Sequence, residues 1–380
     1  MFDFELTEEQ RALVDTARRF TKERIIPVAA QCDREARFPR DVFEEAWKIG
    51  LVNPTLPSEY GGAGLSDVDS SLITEELAYG CTGIQTSITA NTLGLTPLKL
   101  AGSAEQKKKY LSWLSREPVF CSYATTEPGA GSDVAGLQTR ARKEPDGGYV
   151  LNGQKCWITN ASFASFYTIF ATENPELRHK GIGAFLVNRD DKGLSVGKHE
   201  DKLGQRASDT AVVSLEEVRV PASQVLAPPG HGFKLAMETF NQTRPDIGAI
   251  AAGLMRRCLD ECVAYAKQRK TFGKPIAEHQ LVQAMIAEMA IRAEATSLLV
   301  RKAAWNLDKG IRNPVVSSYA KAFGADAAMA TAVDAVQVFG GNGYVKEYPV
   351  EKLMRDAKVL QIYEGTSQIQ RIVIAKHWLG

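Results

Sequence analysis

Hydrophobic periodicity changes twice along this chain, and that double switch limits the fold more than any other feature. Residues 1 to about 117 carry helical spacing. Thr7-Glu8-Glu9-Gln10 and Ser103-Ala104-Glu105-Gln106 are capping boxes, in which hydroxyl and Gln side chain each satisfy an open backbone N–H. Gly50 and Gly80 follow apolar-periodic stretches where a helix stops, and Pro54, Pro57, Gly61, Gly62 and Gly64 mark a loop between them. From about 118 to 226 the period becomes two. Tyr149–Thr159 predicts a hairpin turning at Asn152-Gly153, and further strands are predicted at Tyr167–Thr172, Ile182–Val187 and Thr210–Leu215. After Pro228-Pro229-Gly230 the helical period returns to the end. Leu281, Met285, Met289, Leu298, Leu299 and Ala303 mark an apolar face, Gly310 and Pro314 break that helix, and Ala320–Val338 supplies another. Helices of this kind pack as a bundle. A chain of 380 residues exceeds one ordinary core, so it divides into 1–117, 118–226 and 227–380.

Lys plus Arg (46) nearly cancel Asp plus Glu (45), so the chain has no overall field to hold a polyanion, and nucleic acid is not expected as a partner. The six cysteines lie far apart without a C-x-x-C pair, which predicts free thiols in a reducing compartment. No stretch approaches the roughly 20 apolar residues of a membrane span. The acidic start Met1-Phe2-Asp3-Phe4-Glu5 resembles neither a signal nor a transit peptide, which predicts a bacterial cytoplasmic protein. A mature mitochondrial matrix protein with a new Met1 stays open beside it. Gly181-Ile182-Gly183 precedes a strand and lacks the third glycine of a dinucleotide fingerprint. The five histidines are scattered, so no metal site is expected.

Near the C-terminus, Gln361-Ile362-Tyr363-Glu364-Gly365-Thr366-Ser367-Gln368 places a lone carboxylate between an aromatic and a glycine. Alone, such a Glu reads as a structural residue at a helix end. Two other segments change that reading: Gln337-Val338-Phe339-Gly340-Gly341-Asn342-Gly343-Tyr344, and Tyr123-Ala124-Thr125-Thr126-Glu127-Pro128-Gly129-Ala130-Gly131-Ser132-Asp133. Together they closely resemble the acyl-CoA dehydrogenase family, over nearly the whole chain and closest to its medium-chain, straight-chain members. The resemblance implies an α+β, mainly α fold: an N-terminal helical domain, a central β-barrel-like domain and a C-terminal four-helix bundle. It implies FAD as cofactor, contacted by Tyr123, Thr125, Thr126, Gly131, Ser132, Trp157 and Thr159. Arg269, Phe272, Gln280, Gln337, Gly340 and Gly341 would reach an FAD shared across a subunit interface, with Thr366 and Gln368 as further contacts. Ser132, Asn241, Arg244, Tyr363 and Gly365 match substrate-binding positions, and Gln85 and Thr89 lie where the acyl pocket ends. Asn241 stands where medium-chain members have Asp, and Thr89 where they have an acid.

The resemblance further implies the chemistry. Glu364 takes the α-proton of an acyl-CoA while the β-hydrogen leaves as hydride to flavin N5, giving a trans-2-enoyl-CoA. Electrons then pass to electron-transfer flavoprotein, and the usual assembly is a homotetramer, a dimer of dimers. Branched-chain and some long-chain relatives carry the base at the position of Thr243, and threonine cannot serve. Short-, branched- or cyclic-acyl-CoA dehydrogenases are the near alternatives. An acyl-CoA oxidase normally carries a C-terminal extension, and a non-catalytic scaffold of this fold loses its base.

Overall fold

The structure, a computed structural model, describes residues 5–380; Met1–Phe4 of the acidic start lie outside the described residues. Helix α1 (Glu8–Phe20) begins at the first capping box, where Thr7 Oγ1 accepts from Gln10 N–H at 3.2 Å and Gln10 Oε1 accepts from Thr7 N–H at 3.2 Å. A π turn, Thr21–Ile25, leads into α2 (Ile26–Glu35), followed by α3 (Arg40–Lys48), α4 (Asp67–Gly80), α5 (Thr82–Thr89), α6 (Asn91–Ala101) and α7 (Ala104–Arg116). The Ser103 box opens α7 as expected. A third box, Ser66 with Asp69, opens α4 unannounced, because Asp in place of Glu or Gln weakens the sequence signal. Gly80 is the last residue of α4 and does not lie beyond it.

The central strands are β1 (Phe120–Ala124), β2 (Arg140–Lys143), β3 (Tyr149–Thr159), β4 (Ala164–Thr172), β5 (Ile182–Asn188), β6 (Leu194–His199), β7 (Thr210–Val220) and β8 (Val225–Ala227). They form an eight-stranded sheet in the order β6-β7-β3-β2-β4-β5-β8, with β1 parallel to β4. Period-two alternation sends Tyr167, Ile169 and Ala171 of β4 into a core with Val213, Val218 and Leu151, around which the sheet curls. The opposite face, Phe166 and Phe170, packs with Leu98, Tyr110 and Leu114 of α6 and α7.

The hairpin expected at Asn152-Gly153 is absent: Tyr149–Thr159 is one continuous strand. Gly153 instead permits close approach, since a Cβ there would lie 2.6 Å from Thr139 Oγ1. Asn152 spends its amide on Glu217, across the strand pair. The real hairpin joins β2 to β3 through Asp146-Gly147, whose Gly takes φ 82°.

Beyond it, α8 (Gly232–Gln268), α9 (Gln280–Asp308), α10 (Pro314–Phe339) and α11 (Val350–Leu360) form the C-terminal bundle, with α12 (Ser367–Leu379) against α10. Leu254, Met255, Cys258, Met289, Ala328, Ala332 and Leu353 share its core. Leu281 departs from the expected apolar face: it sits in the first turn of α9, 82% exposed. All six cysteines are buried free thiols. Among the described residues no helix is long and apolar enough to cross a membrane.

Candidate active site

The Gln361–Thr366 reversal between α11 and α12 carries the isolated carboxylate. Glu364 and Gly365 both take left-handed backbone, φ 52° and 88°. For a residue with a Cβ this costs about 1–2 kcal/mol, so the turn persists only because its surroundings hold it. From α12, Gln370 Nε2 donates to the carbonyls of Glu364 (3.2 Å) and Gly365 (3.0 Å). From α10, Lys321 Nζ donates to Gly365 O at 2.6 Å. Thr366 caps α12, its Oγ1 accepting from Ile369 N–H at 3.2 Å. A Cβ at position 365 would be strained by the left-handed backbone and would come within 2.7 Å of Gln370 Nε2, so that side chain would have to give up its place.

Helix α8 faces the carboxylate. The buried Thr243 hydroxyl lies 2.6 Å from Glu364 Oε2 and 3.2 Å from Thr239 O. It has one proton, and an ionised Glu364 draws it because hydrogen bonds to charged acceptors are the stronger. Arg244, also buried, donates Nη1 to Asn241 Oδ1 at 3.2 Å and leaves Nε without a partner. Phe240, one turn back, meets the Tyr123 ring edge-on at 5.4 Å, and the Tyr123 hydroxyl is buried without a partner. Tyr363 is approached by Gln205 Nε2 at 3.5 Å. Behind it Gln85 Nε2 donates to Thr89 Oγ1 at 2.6 Å.

Burial pushes the Glu364 carboxyl above the ordinary carboxylate range, while the Thr243 hydrogen bond, Arg244 and Lys321 pull it back. Burial likewise lowers Lys321 to about 8, with Glu364 opposing the shift. Among the described residues nothing accepts from the Glu364 N–H and nothing donates to its Oε1.

The Tyr123–Asp133 loop leaves β1 beside this cleft. Its carbonyls at Thr125 and Thr126 accept from Lys155 Nζ (3.1 Å) and Cys156 N–H (3.0 Å) of β3. Lys155 is wholly buried and also donates to Glu127 Oε1 at 2.7 Å, and Glu127 further accepts from the N–H groups of Gln138 and Thr139. This buried pair fixes the loop on the sheet and leaves Thr125 Oγ1 without a partner. Gly131 and Ser132 are exposed. A register shift between Lys155 and Ile158 turns Trp157 outward at φ 59°, 60% exposed, with Thr159 two residues on.

A separate surface gathers Arg269, Phe272, Gln280, Gln337, Gly340 and Gly341 at one end of the bundle. Phe272, at the tip of a two-stranded ribbon, is 96% exposed, its ring 6.0 Å from that of His279. Tyr265 stacks on Phe339 at 4.0 Å and accepts from Asn342, which holds the turn after α10. A Cβ at Gly340 or Gly341 would meet nothing within 4 Å. No hydrogen bond or ring contact among the described residues joins this surface to the Glu364 cleft. Gln368 is exposed in the first turn of α12.

Two residues support the base. Thr243 lies in Asn241-Gln242-Thr243-Arg244, a segment whose resemblance implies that it binds the CoA portion and steadies the base, and its hydroxyl holds the carboxylate. Lys321 passes unnoticed, although a lone charge in Tyr319-Ala320-Lys321-Ala322-Phe323 is a visible anomaly.

Comparison with known proteins covers the chain almost end to end. Family models match as the N-terminal domain (residues 7–117), middle domain (122–218) and C-terminal domain (230–379) of acyl-CoA dehydrogenases. A probable medium-chain specific acyl-CoA dehydrogenase 2, mitochondrial, of Caenorhabditis briggsae is 46% identical over 380 residues, 99% of this chain and 92% of the relative. The butyryl-CoA dehydrogenase of Megasphaera elsdenii superposes with TM-score 0.97 at 36% identity, covering 100% of both chains. A chain from a structural study of the electron transferring flavoprotein of Acidaminococcus fermentans superposes with TM-score 0.96 at 38% identity, covering 100% of both.

Proposed function

The chain belongs to the acyl-CoA dehydrogenase family, and from that premise we propose that it dehydrogenates straight-chain, medium-length acyl-CoA thioesters, with Glu364 as the base. It is an oxidoreductase, and the family's cofactor is FAD. The observation that carries the reading is the Glu364 turn: a half-buried carboxylate with one oxygen held by Thr243, while among the described residues nothing binds the other oxygen or the adjoining backbone N–H.

The residues present suit FAD. The hydroxyls of Tyr123 and Thr125, buried without a partner among the described residues, and the outward indole of Trp157 are the groups this reading assigns to the flavin. Thr126, Gly131, Ser132 and Thr159 adjoin them, and Thr366 and Gln368 add polar groups from α12. The open backbone at Gly340 and Gly341 permits close approach of phosphate, with Arg269, Phe272, Gln280 and Gln337 around it. These two groups of residues stand apart in one chain, which supports an FAD shared between subunits and a homotetramer built as a dimer of dimers. When bound, FAD supplies the acceptor for the electron pair that leaves the β-carbon with hydrogen.

The chain's own residues do the rest. Oε1 of Glu364 takes the α-proton as Thr243 holds Oε2. The Glu364 N–H donates to the thioester carbonyl, where charge develops as the proton departs. Arg244, Asn241, Tyr363, Gly365 and Ser132 position the acyl-CoA, with Gln85 and Thr89 closing the acyl end. Water leaving the cleft raises the carboxyl further and strengthens it as a base. The domain boundaries are placed after residues 117 and 226. Electron-transfer flavoprotein is the proposed acceptor and the bacterial cytoplasm the proposed compartment.

The test is anaerobic bleaching of the bound flavin by straight-chain acyl-CoAs from butanoyl to hexadecanoyl, with branched and cyclic ones beside them. Octanoyl-CoA and its neighbours are expected to bleach fastest. FAD that no acyl-CoA reduces would refute the reading.

A further inference from the structure

Lys321 is an anomaly among the buried cations of this protein. Its side chain is fully buried in α10, where every other buried residue is uncharged. The other fully buried lysine, Lys155, has Glu127 at 2.7 Å. Among the described residues Lys321 has no carboxylate within ion-pair distance, and its hydrogen bond is to a neutral carbonyl, Gly365 O at 2.6 Å. Burying an ammonium without a counter-ion is costly, so its retention calls for a return elsewhere. The carbonyl it holds belongs to the residue immediately after Glu364, in the strained half of the turn. Of the charges acting on it, Glu364 is the strongest.

We propose that Lys321 is a positioning residue for the base, with two separable actions: its N–H pins the left-handed Glu364–Gly365 turn through Gly365 O, and its positive charge keeps Glu364 ionised inside a cleft that would otherwise neutralise it. The proposal rests on Glu364 being the base.

Other groups facing the base do not replace this charge. On α8, Arg244 favours the ionised carboxyl, while Asp246 is itself pushed well above the ordinary carboxylate range, first by burial and further by Asp67 and Glu364. On β1 and in the turn itself, Tyr123 and Tyr363 are phenols that burial pushes upward, so both are neutral near pH 7. Asp326, also on α10, is occupied by Arg371 (2.6 Å), Gln361 (2.7 Å) and Ser367 (2.8 Å). Arg244 and Lys321 are therefore the cations directed at Glu364, approaching it from opposite helices.

Three substitutions separate the two actions. Lys321→Gln keeps a donor and removes the charge, Lys321→Arg keeps both, and Lys321→Met removes both. The readouts are the pH dependence of single-turnover flavin reduction and the carboxylate stretch of Glu364 by difference infrared spectroscopy. The infrared band is assigned by its loss in Glu364→Gln, and FAD content is checked by absorbance. Removing a nearby opposite charge moves a carboxyl by about 1–3 pH units. Lys321→Gln is expected to move both the acid limb and the infrared midpoint upward by about that amount, with the rate recovering at high pH. Lys321→Met should move them equally and also lose rate at every pH, and Lys321→Arg should return both midpoints close to wild type. Unmoved midpoints in folded, FAD-loaded Lys321→Gln would overturn the proposal, even if Lys321→Met proved unstable. Near-normal flavin reduction in Glu364→Gln would instead overturn the base assignment, which keeps the two failures distinct.

Discussion

The Glu364 turn and the Phe272 surface are both matched by sequence motifs, but they are built in opposite ways. At the turn, three helices of one chain supply the holding bonds: Thr243 from α8, Lys321 from α10 and Gln370 from α12. At the surface, Phe272 stands 96% exposed and the Gly340-Gly341 backbone faces open space. On the proposed function the chemistry is prepared inside a single chain, whereas the outer surface is proposed as a half-site for cofactor and partner. Strain is tolerated where neighbours over-determine the backbone, and exposure where something else is to be bound.

The comparison yields graded tests. The largest effect should come from Gly365→Ala: a Cβ in left-handed backbone, 2.7 Å from Gln370 Nε2, displaces the turn. Flavin reduction should fall by more than about 100-fold, general-base catalysis being worth about 10²–10⁴-fold, while near-normal reduction would show that the turn need not be rigid. Thr243→Ala removes a hydrogen bond to a charged group worth about 1.5–3 kcal/mol, or about 10–100-fold if it acts mainly in the transition state. Because that bond lowers the Glu364 pKa, the acid limb should also move upward. On the outer surface, Phe272→Ala should weaken FAD retention and subunit association, measured by ultracentrifugation. It should change stability by only about 0.5 kcal/mol, as an exposed substitution does. A large fall in melting temperature with FAD retained would mean that Phe272 serves the fold.

The smallest effect concerns stability and fixes a sign. The folded pKa of Glu364 is raised, so its contribution is fully present below the unfolded carboxylate value and lost as pH rises through the folded one. Glu364→Gln should therefore melt higher than wild type at pH 8, and the gap should close at pH below the ordinary carboxylate range. A gap that widens on acidification would contradict the burial argument.

Local rules were legible in the sequence where local chemistry decides. Thr7 with Gln10 and Ser103 with Gln106 open helices because a capping box is complete within four residues. The same rules misled at Asn152-Gly153, a strong turn pair overridden by pairing with β7 on both sides and by the packing of Thr139. Asp146-Gly147, six residues earlier, makes the turn instead. Leu281 keeps the helical period yet faces outward, since periodicity marks an apolar face without saying what covers it. At the site, the resemblance reached Glu364 and the Asn241-Gln242-Thr243-Arg244 segment that steadies it, but not the individual bonds from Thr243 and Lys321. Thr243 is 121 residues away and Lys321 is 44 residues from Gly365, so only the fold brings them together.

One measurement bears most directly on the claim that a single carboxylate in a strained turn removes the α-proton: stopped-flow reduction of the flavin by octanoyl-CoA in Glu364→Gln. The expected result is a yellow protein that binds FAD and acyl-CoA yet reduces its flavin about 10²–10⁴-fold more slowly. Reduction at near-wild-type rates, with both ligands bound, would contradict it.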